Sequence, residues 1–284
     1  MRFGLKETGR YAAGLLGALL LAAAVPMAGA GVPALARVAA LLRLDFGLSA
    51  MSATPAAAEL AKRLPATLEL IGGGALVAVL LGLPLGILLS WSRALRAGAP
   101  LIQLVAAVPA FCGGLALLWL AHRFQWDVSA RSGLSFWPAL LSGDGAGVVR
   151  ALPAFGLPVL IVGAAGAAAV ELAIRRAARM AATAPYRDGL RLMGLGAFEI
   201  DRLYLAPRVL AGLFASLGEV ALSLIAATAV AEWVFDWPGA ASLFIHSAAL
   251  HDWNVAALVL LVLASLVLTV GFIGAVAARA LGET

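Results

Sequence analysis

Residues 151–174 read ALPAFGLPVLIVGAAGAAAVELAI, and residues 175–208 continue RRAARMAATAPYRDGLRLMGLGAFEIDRLYLAPR. The first stretch holds one charged residue, Glu171, whereas the second holds seven arginines. A helix needs about 20 apolar residues to cross a hydrocarbon core about 30 Å thick. The first stretch therefore reads as a transmembrane helix, and the arginines mark the side on which it emerges, because positive charge resists translocation. The rest of the chain has the same character: 63% of its 284 residues are hydrophobic and 12% charged, where a soluble domain carries about 25% charged residues. That composition excludes a water-soluble globule and intrinsic disorder, and the lone Cys112 excludes a disulfide scaffold. The formal net charge of +5 comes from basic residues between apolar runs, so it reports topology and not a nucleic-acid footprint.

Working outward from 151–174, five more apolar runs fall at 11–31, 68–91, 100–121, 208–231 and 254–278, giving an all-α polytopic protein with about six spans. With both termini cytoplasmic, thirteen of the twenty Lys and Arg lie inside, seven of them between Arg175 and Arg208. Trp91, Trp126, Trp137, Trp233, Trp237 and Trp253 sit near expected helix ends, where amphipathic rings favour the headgroup zone. The first run is also compatible with a signal peptide: Met1 to Arg10 is a basic leader, Tyr11 to Val25 is apolar, and Ala28-Gly29-Ala30 resembles a cleavage site. Residues 32–66 form an external segment with an amphipathic piece, Leu35 to Leu44, suited to the membrane surface. Residues 67–280 form a five-helix core, and the whole chain makes one transmembrane domain.

The residues offer little for catalysis. ATP hydrolysis needs a glycine-rich loop ending in Gly-Lys-Ser/Thr, and the only lysines are Lys6 and Lys62, neither in such a loop. His-Glu-x-x-His and Gly-x-Ser-x-Gly are absent. His246, His251 and Asp252 read as polar residues of an external loop, with no metal implied. Glu219 falls near the middle of the 208–231 run, with Ser216 and Ser223 at i−3 and i+4 and Thr228 further along, so these groups could line a wet translocation surface or bond to a neighbouring helix. Glu69, Glu171 and Glu232 fall near run ends, where snorkelling to the interface suffices.

The segment 175–208 reads as two short helices. Pro185 suits a helix start, Tyr186 to Met193 gives one to two amphipathic turns, Gly194 suits a left-handed C-terminal cap, and a second helical piece runs from Ala197 to Ala206 before Pro207 opens the next span. Tyr186-Arg187-Asp188-Gly189-Leu190-Arg191-Leu192-Met193-Gly194-Leu195-Gly196, followed by Leu205-Ala206-Pro207, resembles the coupling loop of binding-protein-dependent ABC importer permeases, whose loop glycine falls on Gly194. Three further stretches resemble the dipeptide/oligopeptide/nickel branch of that family: Asp45-Phe46-Gly47-Leu48-Ser49, Leu64-Pro65-Ala66-Thr67-Leu68-Glu69-Leu70, and Glu232-Trp233-Val234-Phe235-Asp236-Trp237-Pro238-Gly239. The chain departs from the family pattern at Gly189 and Leu190.

This resemblance implies a type I importer permease of the bacterial inner membrane, with the first run retained as a helix and no catalytic site or cofactor of its own. ATP and Mg would be bound by two partner ATPase subunits. The other implied partners are a second, related permease subunit, a periplasmic or lipid-anchored solute-binding protein and membrane lipid, for import of a small solute such as a di- or oligopeptide or a nickel chelate. Tyr186, Arg187, Asp188, Leu190, Arg191, Met193 and Gly194 are the expected ATPase-coupling residues, and Glu219 and Ser223 the expected pathway residues. An ion-coupled secondary transporter is the alternative, disfavoured by the lack of internal repeats. An intramembrane enzyme lacks a matched nucleophile and base, and a structural scaffold leaves the 175–208 loop unexplained.

Overall fold

The computed structural model describes residues 9, 11–14, 16–18, 43, 45–91, 108–126, 128–129, 136–183 and 186–282, and for 184–188 and 197 no side chain. The described residues form ten α-helices: α1 (Ala56–Trp91), α2 (Ala110–Arg123), α3 (Phe136–Ser142), α4 (Gly145–Ala182), α5 (Tyr186–Leu192), α6 (Ala197–Ile200), α7 (Ala206–Ala215), α8 (Leu217–Val234), α9 (Ala240–Ala249) and α10 (Trp253–Gly282). A π-helical turn, Asp201–Leu205, joins α6 to α7, and an isolated antiparallel bridge pairs Leu48 with Pro55. Four of the helices, α1, α4, α8 and α10, are long and apolar enough to cross a membrane.

α4 is the central post, and its partnership with α1 is the most extensive among the described helices. The reason is side-chain size. A Cβ on Gly74 of α1 would collide with Val162 Cγ1 of α4, and one on Gly163 of α4 would collide with Val77 Cγ1 of α1. Glycine on each helix therefore admits valine from the other, the close approach that drives helix association where hydrocarbon supplies no hydrophobic force. At 36 and 38 residues, these two helices reach about 54 to 57 Å at 1.5 Å per residue, well beyond the hydrocarbon core. α8 lies on the other flank of α4, and α10 closes the bundle against α7 and α8. The described part of the N-terminal run packs on α10, with Tyr11 edge-on to Phe272 at 5.2 Å and Ala18 against Ala257 and Leu261.

Several helix limits differ from the sequence expectation. α1 begins at Ala56 and not near residue 68, carrying Pro65 inside it; Ala56 and Leu60 pack with Ala240, Val255 and Val259, which anchors the added turns. α4 starts at Gly145, where the Asp144 carboxylate caps it by accepting from Gly147 N at 2.9 Å, and it runs on through Arg175, Arg176 and Arg179 to Ala182. The expected 208–231 span is two helices, broken at Ser216. There the Ser216 hydroxyl donates to Gly212 O at 3.1 Å, the side-chain competition with the backbone that bends helices. Pro207 stands in the first turn of α7, as expected of a helix start, but the chain before it is already helical from Ala197, and the π turn ends at Leu205 with Ala206 N bonded to Asp201 O. A widened turn is a way to relieve the clash of a proline ring with the carbonyl four residues back. Residues 100–107 of the 100–121 run, most of the 11–31 run, the Leu35 to Leu44 piece apart from Arg43, and Pro185 lie outside the described residues.

Candidate functional site

The arginine-rich end of α4, cytoplasmic by the charge count, is followed by an elbow whose shape is set by one residue. Gly194 has φ +85, a conformation that costs a side-chain-bearing residue roughly 1–2 kcal/mol. Around it, Leu195 N donates to Leu190 O at 3.2 Å and Gly194 N to Arg191 O at 3.0 Å. That pair of bonds is a Schellman closure, which satisfies the last carbonyls of α5 and reverses the chain. Leu190 and Leu195, the two residues joined by the closure, both pack against the bundle core. α6 then starts with Gly196 N held by the Glu199 carboxylate at 3.0 Å, one half of a capping box.

The elbow is mounted rigidly. Ile200, Leu205 and Val209 join Val170, Ile174 and Ala181 of α4 and Val220 and Leu224 of α8 in one buried cluster, and burying an Ile, Leu or Val side chain is worth about 1.5–3 kcal/mol. Trp91 Nε1, at the end of α1, donates to Asp201 Oδ2 at 3.3 Å, so α1, α4 and α8 all grip the same turn. The face away from the cluster is apolar and uncovered: Leu192, Met193 and Phe198 are 89%, 78% and 75% exposed.

Of the expected coupling residues, the structure brings Met193 and Gly194 to the exposed turn, with Arg191 exposed beside them. Leu190 faces inward and serves the mounting. Tyr186, Arg187 and Asp188 lie on α5, their side chains outside the described residues. Leu192 and Phe198 were not singled out by the sequence, and the signal available was a large apolar residue on each side of a glycine turn. Glu219 is not at mid-span: it stands in the first turn of α8, favourable for a carboxylate, exposed and paired with Arg176 at 3.0 Å. Ser223 is half-buried and donates to Ala165 O of α4 at 3.1 Å, while Thr228 is buried and bonds Leu224 O within its own helix.

The opposite end is built differently. Glu232 is fully buried, not snorkelling; its carboxylate accepts from Thr67 Oγ1 at 2.6 Å and from Ser242 N at 2.7 Å. Thr67 Oγ1 in turn accepts from Ala240 N at 2.6 Å, and Trp237 Nε1 donates to Ala66 O at 3.2 Å. The 232–239 motif is thus a clasp joining α1, α8 and α9. Asp252 is buried and accepts from the Ser49 hydroxyl, and Asn254 Nδ2 donates to Leu48 O at 2.7 Å, which ties the 45–49 motif to the start of α10. Glu171 is likewise buried and ion-paired with Arg175 one turn on, and Glu69 is half-buried. His246 is exposed on α9, and His251 packs edge-on to Trp253 at 5.5 Å.

Residues 78–283, which include the elbow, α8 and α10, match the model of the family described as binding-protein-dependent transport system inner membrane component. The chain belongs to that family. It is an all-helical component of the inner membrane, as the spans and the four motifs implied. Among its relatives is the Escherichia coli (strain K12) "Probable D,D-dipeptide transport system permease protein DdpB", 30% identical over 220 residues, which cover 71% of this chain and 64% of that relative's length. The "Putrescine export system permease protein SapB" of the same strain is 25% identical over 252 residues, 82% of this chain and 78% of the relative. The "Peptide transport system permease protein SapB" of Salmonella typhimurium (strain LT2) is 26% identical over 251 residues, with 82% and 78% covered.

Proposed function

We propose that this chain is one of two permease subunits of an ATP-driven importer, and that its elbow is the surface through which ATPase subunits move it. The observation that carries the reading is the contrast at residues 186–200: a turn fixed by Gly194 and anchored by the buried Ile200, which leaves Leu192, Met193 and Phe198 open to solvent. Three large apolar side chains clustered on a short loop beside an arginine-rich helix end form a patch suited to cover by another protein. A rigid mount lets a push on that face turn α4, α7 and α8 together and is of little use to a flexible linker.

In this reading the subunit pairs with a second, related permease, two ATPases supply ATP and Mg, and a binding protein delivers solute to the outer face. Both termini lie in the cytoplasm. The solute is a short peptide, a choice supported by the peptide named in two of the relatives. Arg187, Asp188, Arg191 and Tyr186 contribute polar contacts around the apolar turn. Glu219, exposed beside Arg176, lines the inner mouth of the pathway, whereas Ser223 holds α8 on α4.

The test is uptake of a labelled dipeptide by the complete reconstituted assembly, with ATP hydrolysis measured in parallel. Gly194→Val is expected to abolish uptake and solute-stimulated hydrolysis while assembly of the two permeases persists. Uptake by the purified chain alone, driven by a proton or sodium gradient, would overturn the reading.

A further inference from the structure

At the outer end, the 49–52 loop, the first two turns of α1 and the segment from Asp236 through α9 enclose a cavity of about 450 Å3. That volume falls within the roughly 300–1,000 Å3 of small-ligand sites, and it equals a sphere about 10 Å across. Its charged lining is Glu59, Arg63 and Asp236, with His246 on the rim helix. Glu59 is engaged, accepting from Thr54 Oγ1 at 2.7 Å and pairing with Lys62 at 3.5 Å. Arg63 is half-buried, and Asp236 is exposed at a positive φ of 51. Neither has a side-chain hydrogen bond or ion pair to another described residue. Arg63 lies near enough to the buried Glu232 to attract it electrostatically, but the Glu232 oxygens are taken by Thr67 and Ser242, so the unusual feature is a half-withdrawn guanidinium whose donors meet no acceptor on a described residue. The remaining walls are apolar and include Met51, Trp237, Leu243 and Leu250.

We propose that this cavity receives a short zwitterionic peptide, with Arg63 holding its terminal carboxylate and Asp236 its terminal ammonium. The choice of peptide over other zwitterions rests on the solute reading above. Arg63 and Asp236, both without a hydrogen bond or close ion pair to a described residue, are of opposite sign, so a simple anion meets Asp236 as a like charge and a diamine meets Arg63 as one. A molecule with one charge of each sign satisfies both. A dipeptide extends up to about 7 Å, which the cavity admits, and the apolar walls accept its side chains.

The test uses the full-length chain in nanodiscs of phosphatidylglycerol, with L-alanyl-L-alanine as probe and saturation-transfer NMR as readout. The C-terminal amide and the N-acetyl derivative are each expected to bind about tenfold more weakly than the free dipeptide, the scale of one lost charge contact. Arg63→Gln is expected to weaken the free dipeptide about tenfold and to abolish its advantage over the amide; Arg63→Lys restores part of the loss. Asp236→Asn does the same for the N-acetyl comparison. Putrescine and phosphoethanolamine, the latter carrying the two charges of a lipid headgroup, are expected to bind more weakly than the dipeptide. Equal binding of the free, amidated and acetylated dipeptides to the unaltered protein overturns the proposal, as does tighter binding of phosphoethanolamine. These comparisons hold even if a variant fails to fold. Failure here leaves Gly194-dependent ATP stimulation in place, whereas failure of the transporter reading shows as dipeptide binding without ATP-driven uptake.

Discussion

The two ends of the bundle treat their chemistry in opposite ways. At the outer end several polar side chains are buried and answered within the chain, Glu232 by Thr67 and Ser242, Trp237 by Ala66 and Asp252 by Ser49, while Asp236 stays exposed. At the inner end the polar work is done by backbone around Gly194, and the side chains left over are apolar and uncovered. Family motifs of similar prominence in the sequence therefore have different physical roles. The outer ones hold this chain together, and the inner one is shaped to be held by something else.

The sharpest way to break that contrast is at Glu232. Glu232→Ala strips the partners from the Thr67 hydroxyl and Ser242 N–H in a buried site, at a cost of about 3–5 kcal/mol. Most of the protein should aggregate in fluorescence-detected size exclusion; a monodisperse peak with unchanged melting would mean that the clasp is dispensable. Gly194→Val comes next, with roughly 1–2 kcal/mol of left-handed strain. It should lower the melting temperature by a few degrees and, unlike any folded outer-end variant, uncouple hydrolysis from solute. Phe198→Ser should leave thermal stability within about 0.5 kcal/mol, yet weaken association with the ATPase subunits about tenfold in a pull-down titration. The smallest effect is expected at the Arg176–Glu219 pair, exposed on both sides. Glu219→Gln should change stability by less than about 1 kcal/mol, and less still at high salt.

The sequence made the inner end more legible than the outer. Proline, glycine and apolar residues are local punctuation, so the elbow could be read from 185–207 alone, and Gly194 adopts the left-handed conformation expected of it. Span limits were less legible because apolar runs report hydrocarbon depth and not where a helix stops. α1 persists through Pro65 because Ala56 and Leu60 find partners on α9 and α10, contacts nearly two hundred residues away that no local pattern contains. The break at Ser216 moved Glu219 from an expected mid-helix position to a helix start. The partners of Glu171 and Glu232 lie beyond any apolar-run boundary: Arg175 falls past the end of the 151–174 run on the continuing α4, and Thr67 lies on another helix. Which side of the elbow is covered is likewise a tertiary fact, which turns Leu190 inward and leaves Leu192 and Phe198 uncovered.

The central claim is that an ATPase subunit grips the apolar face of the elbow. Its most direct test is a photoreactive amino acid placed at Phe198 in the complete system, with a control at Leu141, 85% exposed on α3 at the outer end. The account predicts an ultraviolet-dependent adduct between position 198 and an ATPase subunit, and none from position 141. An elbow that forms no adduct in an assembly still hydrolysing ATP with solute would contradict it.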